Sequence, residues 1–376
     1  MDIPRTPFPT TGYYGPEYFC DRKEELLQLK RNVEGGNSTT LIAQRRMGKT
    51  ALIRHLFHHL GKRYMTIYLD ILPTESLNDL LNRITTSITQ GIPENSSSGK
   101  KIWTYIRSLR PQISYDPLQG TPVISIQSTP DETRKSINDL FGILENQTKP
   151  VVIAIDEFQQ ILSYPEKQTD AWLRSIVQQL KNVNFIFAGS QQHLMHELFI
   201  NPGRPFFRST QFLKIDKLEA DVYRDFIIQK FEAHRKAIAP DVVDELLQWA
   251  DCHTYYVQLI CNRTFTASGR AVKSAQWKDE ADKILKEQEF VFFGYRDMLT
   301  RPQWNLLKAI ARDGKVYQPT SGEFVSRHGL GNPATVLRSL KSLQKMDLIH
   351  REPDEEGNFH YSIYDLLFRR WMDKSG

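Results

Sequence analysis

The sequence predicts an α/β domain built on a parallel sheet, followed by an α-helical bundle and a small domain of helices closed by a hairpin. Three observations carry this. Apolar, β-branched runs alternate with helical patterns up to about residue 215, which is βαβα order. From Leu218 the strands stop and four helical patterns follow. After Tyr295 the order is helix, helix, helix, hairpin.

The elements follow in order along the chain. Ser38–Ala43 is a short buried strand and Lys49–Leu60 a helix; Tyr64–Leu69 is a second strand, and Ser76–Gln90 a helix with Leu77, Leu80, Leu81 and Ile84 on one face. Gly91–Lys101 is a polar loop, and Ile113–Ile126 alternates around Asp116, Pro117, Leu118, Gln119 and Gly120, predicting an inserted hairpin. A helix over Thr133–Glu145 leads to Val151–Ile155, a continuous apolar run suited to the middle of a parallel sheet. Ala171–Leu180 is helical, and Asn184–Ala188 and Phe212–Ile215 are strands. The bundle is Asp221–Ala233, Asp241–Ala250, Tyr255–Thr266 and Gln276–Phe290. The last domain has helices at Pro302–Ala311, Gly322–Arg327 and Pro333–Met346, with strands at Leu348–Arg351 and Phe359–Ile363, which is winged-helix order.

A chain of 376 residues has room for two or three domains, and 40% hydrophobic with 25% charged residues is ordinary for a soluble globular protein. No apolar run approaches the ~20 residues that span a bilayer. Met1–Tyr14 has no apolar segment of secretory type, so no membrane partner is expected. Three cysteines without CxxC spacing predict a reduced, cytoplasmic protein rather than a disulfide or zinc framework. A net charge of +5 permits nucleic acid as a partner without arguing for it.

Residues 43–50 match GxxxxGK[ST] at Gly48, Lys49 and Thr50, with Ala43 at the first glycine. The motif lies between a strand and an amphipathic helix, where backbone N–H groups at a helix N-terminus can surround a phosphate. Ala43, Gln44, Arg45, Arg46, Met47, Gly48, Lys49, Thr50 and Ala51 are therefore the expected phosphate loop for ATP. In it Lys49 reaches the β- and γ-phosphates and Thr50 ligates Mg²⁺. The strand at Val151–Ile155 ends in Asp156 and Glu157, at the edge where such sheets bind ligands. Asp156 is the expected second Mg²⁺ residue, and Glu157 the residue that polarises the attacking water. Ser190 closes the next strand and either contacts the γ-phosphate or water, as Gln191 also could, or caps the following helix. Asp70 also ends a strand, where hydrogen-bond duty is expected. His55, His58 and His59 imitate a metal site, but lack a carboxylate at suitable spacing.

With these residues in hand, the chain resembles the STAND-type and archaeal-type P-loop ATPases of the AAA+ superfamily. The resemblance rests on Phe19-x-x-Arg22-x-x-Glu25-Leu26, Arg45 to Thr50, Asp156 to Gln159, Ala188-Gly189-Ser190 and Tyr361-x-Ile363-x-Asp365-x-x-Phe368-x-x-Trp371. It implies a P-loop NTPase core of the AAA+/ASCE type over residues 1–216, with an insertion at about 91–130. A helical lid over 217–293 and a winged helix over 294–376 follow. In Asp251-Cys252-His253-Thr254-Tyr255-Tyr256, Cys252 and Thr254 stand where the family has Gly and Pro. The family's γ-phosphate-sensing arginine has candidates in Arg204 and Arg208, in cis or from a neighbouring subunit.

The implied function is an ATP-hydrolysing switch read out by the winged helix, with a nucleotide-dependent homo-oligomer possible under the family pattern. Two other readings stay open: a nucleotide-binding regulator with little turnover, and a DNA-binding regulator that uses the P-loop only as a sensor. In the third helix of the winged domain, Val336, Leu340 and Leu343 form the core stripe, while Arg338, Lys341 and Lys345 form a basic one. That basic stripe suits DNA phosphates, but the domain's net charge is only +3 and the hairpin tip Asp354-Glu355-Glu356 is acidic, so a protein partner fits as well. Phe290, Phe292, Phe293 and Tyr295 are expected to mark a packed junction between lid and winged helix.

Overall fold

The computed structural model describes residues 4–96, 99–117, 120–354 and 356–375. Ser97 and Ser98 of the predicted loop, Leu118 and Gln119 of the predicted insert, and Glu355 of the acidic tip lie outside the described residues. Contacts divide the chain into two compact units: Pro9–Tyr223 with the residues before Thr6, and Arg224–Gly376 with Thr6–Phe8.

The first unit contains α1 (Lys23–Glu34), β1 (Thr39–Ile42), α2 (Lys49–Leu60), β2 (Met65–Asp70), α3 (Leu77–Gly91), α4 (Gly99–Ser108), β3 (Gln112–Tyr115), β4 (Pro122–Ser125), α5 (Pro130–Glu145), β5 (Val151–Asp156), α6 (Thr169–Val177), β6 (Val183–Gly189), α7 (Gln192–Ile200) and β7 (Gln211–Lys214). Five strands form a parallel sheet in the order β2-β5-β6-β1-β7. Every residue of β5 and β6 is buried, as a strand covered on both faces requires.

The alternation of side chains divides each central strand between two cores. Ile153, Ile155, Phe185 and Phe187 join α3, α5, α6 and α7 on one face; Val152, Ala154, Ile186 and Ala188 join α1 and α2 on the other. The insert is a helix and an antiparallel hairpin, β3–β4, rather than a loop and a hairpin, because Ile102 and Ile106 of α4 reach the first core. α5 starts in a capping box in which the Glu132 carboxylate accepts the Thr129 N–H and the Thr129 hydroxyl accepts the Glu132 N–H.

The second unit contains α8 (Ala220–Ala233, entered from the first unit), β8 (Ala237–Ile238), α9 (Pro240–Trp249), α10 (Thr254–Ala267), β9 (Ala271–Val272), α11 (Ser274–Met298), α12 (Arg301–Asp313), α13 (Gly322–Arg327), α14 (Pro333–Lys345), β10 (Ile349–Pro353), β11 (Phe359–Ile363) and α15 (Leu366–Ser375). Strands do not stop at Leu218: β8 and β9 form a two-residue parallel pair, too short to leave a periodic signal. The position predicted to divide lid from winged helix, 293/294, falls inside the continuous helix α11. Phe292 packs on Phe368 and Trp371, at 5.4 and 5.5 Å between ring centroids, as the predicted junction requires. Phe290 does not join it and is 88% exposed. At the other end of the chain, Phe8 packs tilted against Phe231 and edge-on to Phe265, and the Asn262 amide donates to the Thr6 hydroxyl.

Among the described residues no group of three or more His, Cys, Asp or Glu side chains is placed to hold a metal ion. His55 is buried, stacked on Phe19 at 4.2 Å, with its Nδ1 2.7 Å from the Tyr13 hydroxyl. Burial, then the neighbouring His59 and His58, hold its pKa down at about 4. The unfolded chain therefore takes up this proton first, and His55 makes stability fall as pH drops from about 6.5 towards 4. Urea midpoints measured across that window should decline, and His55→Asn should flatten the decline.

Candidate functional site

The loop of residues 43–48 joins β1 to α2. Gly48 caps the helix at φ 92°, a left-handed conformation that glycine adopts without strain. Arg46 also lies in that region, at φ 62°. Ala43 does not have a positive φ and is buried, so its methyl meets no backbone penalty where the motif has glycine. Met47 points into the core beneath the loop, and Gln44, Arg45, Arg46 and Ala51 line the turn and the first turn of the helix.

Lys49 is 6% exposed, and its Nζ donates to the Gln44 carbonyl at 3.4 Å. Burial pulls its pKa below the usual lysine value, Asp156 and Glu157 push it back up, and Arg45 lowers it. The Thr50 hydroxyl donates to Asp156 Oδ2 at 2.6 Å, joining the start of α2 to the end of β5. Asp156 is 4% exposed, and the same oxygen accepts the Tyr68 hydroxyl at 2.7 Å. Burial, with the Asp156 charge next, drives the Tyr68 hydroxyl's pKa up. The Arg54 guanidinium lies 4.1 Å from the Tyr68 ring centroid. A hydroxyl and a carboxylate side by side are the hard oxygen donors that Mg²⁺ takes, so this pair fits the ion.

Glu157 stands at φ 56°, left-handed. Its Oε2 accepts three hydrogen bonds: from Gln159 Nε2 at 2.6 Å, the Ser190 hydroxyl at 2.8 Å and the Ser190 N–H at 3.2 Å. Ser190 does not cap α7. Its partner is Glu157, and α7 is capped by Gln191 with no side-chain cap bond. Asp70 has the hydrogen-bond duty expected, its carboxylate accepting the Leu72 N–H at 3.0 Å.

The two arginines differ. Arg204 binds the Glu197 carboxylate and lies 3.4 Å from Asp170, tying α7 to α6. Arg208 is exposed, with its guanidinium 5.2 Å from the Phe207 ring centroid. Tyr68, Gln159 and Arg54 were missed by the sequence reading. Tyr68 is visible only once β2 is known to neighbour β5, with Tyr68 opposite Ala154 and Asp70 opposite Asp156.

In the second unit, the segment between α9 and α10 carries two successive left-handed residues, Asp251 at φ 53° and Cys252 at φ 49°. α15 grips this corner. The Arg370 guanidinium donates to the carbonyls of Trp249 and Gln248, and the Tyr256 hydroxyl donates to Asp365 at 3.0 Å. On α14, Val336, Leu340 and Leu343 are buried, while Arg338, Lys341 and Lys345 are exposed, matching the predicted stripes.

A buried lysine at the start of α2, a Thr–Asp contact and a following glutamate stand together at one edge of a 5-stranded parallel sheet, the arrangement expected of a P-loop ATPase core. The chain belongs to the family described as "ATPase domain predominantly from Archaea", whose model matches residues 19–260, and a model described as "Probable winged helix domain" matches residues 290–374. A search of curated proteins finds no match. Among solved structures, the fold is similar to the Walker-type ATPase PABY2304 of Pyrococcus abyssi, with a TM-score of 0.68 at 16% identity, covering 98% of this chain and 100% of that one. It is also similar to the Aeropyrum pernix ORC2 protein, solved as ADPNP–ADP complexes (TM-score 0.62, 14% identity, 98% and 97% covered). A third similar structure is the Aeropyrum pernix ORC1 protein in complex with DNA (TM-score 0.52, 15% identity, 98% and 96% covered). No described helix is long and apolar enough to cross a membrane.

Gly189 holds this edge together. A Cβ there would stand 2.2 Å from Gln159 Oε1 and 2.6 Å from Met195 Sδ. Gly189→Ala should therefore displace Gln159 from Glu157 and destabilise the fold by ~1–3 kcal/mol, read as a lowered thermal midpoint.

Proposed function

We propose that this chain is a Mg²⁺-dependent ATPase acting as a nucleotide-controlled switch, organised as core, lid and winged helix. The observation that carries the ATPase reading is the Thr50–Asp156 contact beside the buried Lys49. In this reading Lys49 binds the β- and γ-phosphates, and the N–H groups of the 43–49 turn surround them. Thr50 and Asp156 hold Mg²⁺, which when bound neutralises phosphate charge. Glu157 orients a water for attack on the γ-phosphorus and accepts its proton as the bond to the β-phosphate oxygen breaks. Ser190 and Gln159 hold the Glu157 carboxylate in place. Arg204 is already committed to two carboxylates, so Arg208 is the arginine offered for charge stabilisation, in cis or from a neighbouring subunit.

The test is ATP turnover with Mg²⁺ and nucleotide binding on the same samples. Lys49→Ala should abolish binding. Glu157→Gln should keep binding and lower turnover by about 10²–10⁴-fold. Normal turnover in Glu157→Gln would remove Glu157 from its role, and wild-type binding without turnover would favour the regulator with little hydrolysis.

The switch reading is supported by Tyr256 and Arg370, through which the corner of the lid is bonded to α15 of the winged helix. The exposed Arg338, Lys341 and Lys345 offer the output surface to DNA or to a protein. Gel shifts with duplex DNA at rising salt separate the two partners. Contacts to phosphates weaken binding by about 0.9 log units per contact for each tenfold rise in salt. A shift that is lost steeply with salt and in Arg338→Ala/Lys341→Ala identifies DNA, whereas the lack of any shift assigns this face to a protein.

A further inference from the structure

Asp156 is buried, and a buried carboxylate is stable only where hydrogen-bond donors or cations meet it. Three donors reach it among the described residues. Its Oδ1 accepts the N–H of Glu157, the next residue, at 3.1 Å, and its Oδ2 accepts the hydroxyls of Thr50 at 2.6 Å and Tyr68 at 2.7 Å. A hydroxyl that gives its proton to a carboxylate keeps its lone pairs, so the Thr50 oxygen stays able to ligate a metal ion. Thr50 and Glu157 already have tasks in the proposed reaction. Tyr68 has none, yet it makes one of the two short contacts to the Asp156 carboxylate.

The sheet brings Tyr68 there. β2 pairs with β5 so that Tyr68 stands opposite Ala154 and Asp70 opposite Asp156. Side chains alternate along a strand, so Tyr68, Ala154 and Asp156 share the face that α2 covers. Ala154 is small, and the Tyr68 side chain reaches past it to the carboxylate two positions on. On α2, Thr50 and Arg54 are four residues apart and so lie on one side of the helix. Thr50 meets the Asp156 carboxylate, and the Arg54 guanidinium lies 4.1 Å from the Tyr68 ring centroid. The phenol is thus fixed at two points, its ring by the cation on α2 and its hydroxyl by the carboxylate on β5.

We propose that Tyr68 is a positioning residue for Mg²⁺, whose hydroxyl fixes the rotamer of Asp156 and keeps that carboxylate turned to Thr50, ready for the ion. The proposal rests on the reading of Thr50 and Asp156 as the Mg²⁺ residues. A group that hydrogen-bonds a metal-binding carboxylate sets its orientation, and losing one ordinarily costs about 10–100-fold in metal affinity. Of the three donors, Tyr68 is the one whose place does not depend on the phosphate loop. Thr50 belongs to the start of α2 and gives its oxygen to the ion, and Glu157 must serve the water. Tyr68 lies within β2, which is paired with β5 along its whole length. A ring that served packing alone would have no use for the hydroxyl, and phenylalanine would replace it without effect on the ion.

The test measures binding and needs no turnover. A non-hydrolysable ATP analogue is titrated into the full chain with excess Mg²⁺ and again with a chelator, and the ratio of the two affinities is the gain due to the ion. Thermal midpoints without nucleotide report the fold of each variant. Tyr68→Phe should leave the affinity in chelator unchanged, since that rests on Lys49 and the turn, and should cut the gain by about 10–100-fold. Arg54→Met, an exposed change that keeps the hydroxyl, should cut the gain by about 2–5-fold. A wild type whose affinity ignores Mg²⁺ would overturn the Mg²⁺ reading and the role of Tyr68 together. A wild type that responds, beside a Tyr68→Phe chain that gains as much, would leave the Mg²⁺ reading standing and overturn the role of Tyr68. Equal losses with and without the ion would overturn it too, since they mark a distorted loop rather than a misplaced carboxylate. Should Tyr68→Phe fail to fold, Arg54→Met decides on the same measure.

Discussion

The arrangement of the first unit turns on one constraint: a lysine ammonium has been taken almost wholly out of water. A buried cation is tolerated only with opposite charge and hydrogen bonds close by. Lys49 has the Gln44 carbonyl within reach, and Asp156 and Glu157 oppose the effect of burial on its charge. Those carboxylates can be there only because β5 ends at the sheet edge beside the start of α2, and β5 ends there because its six residues are wholly buried up to Asp156. Asp156 is itself buried and takes its own donors, Thr50 and Tyr68. The core of the sheet and the charges at its edge are thus one construction.

Glu157 extends the same logic by one residue. A glutamate at φ 56° is held in a left-handed conformation that costs about 1–2 kcal/mol, and such outliers persist where surrounding bonds over-determine them. Here three hydrogen bonds converge on Oε2, two of them from Ser190 at the end of β6. The strand order supplies them: β6 lies directly beside β5, between it and β1. Gly189 lets Gln159 lie against the strand, since any side chain there would collide with it.

This explains which parts of the site were legible in the sequence. Gly48, Lys49 and Thr50 form a local signal, and Val151–Ile155 is a continuous apolar run whose burial pattern follows from composition alone. The contacts made by Tyr68, Ser190 and Arg204 depend on which strands and helices become neighbours, and no spacing along the chain encodes that. Ser190 looked like a helix cap because capping is a local role, whereas its partner lies thirty-three residues away. Helices α1, α4 and α15 escaped the reading for another reason. α4 follows a polar stretch, and α15 follows a strand motif that absorbed its aromatics. The pair β8–β9 is two residues long, below any period.

The corner between α9 and α10 shows how a departure from a family pattern can leave the backbone path in place. Cys252, standing where the family has glycine, occupies a left-handed conformation, the one glycine would adopt without cost. Thr254, standing where the family has proline, is the first residue of α10, the helical position that proline favours because its missing N–H is not needed there. Both substitutions therefore preserve the turn and lose only the rigidity that glycine and proline bring to it, at a cost of about 1–2 kcal/mol for the left-handed cysteine. α15 counters that cost directly, through the bonds of Arg370 to the last carbonyls of α9 and of Asp365 to Tyr256. In this chain the corner between α9 and α10 is held by hydrogen bonds from α15.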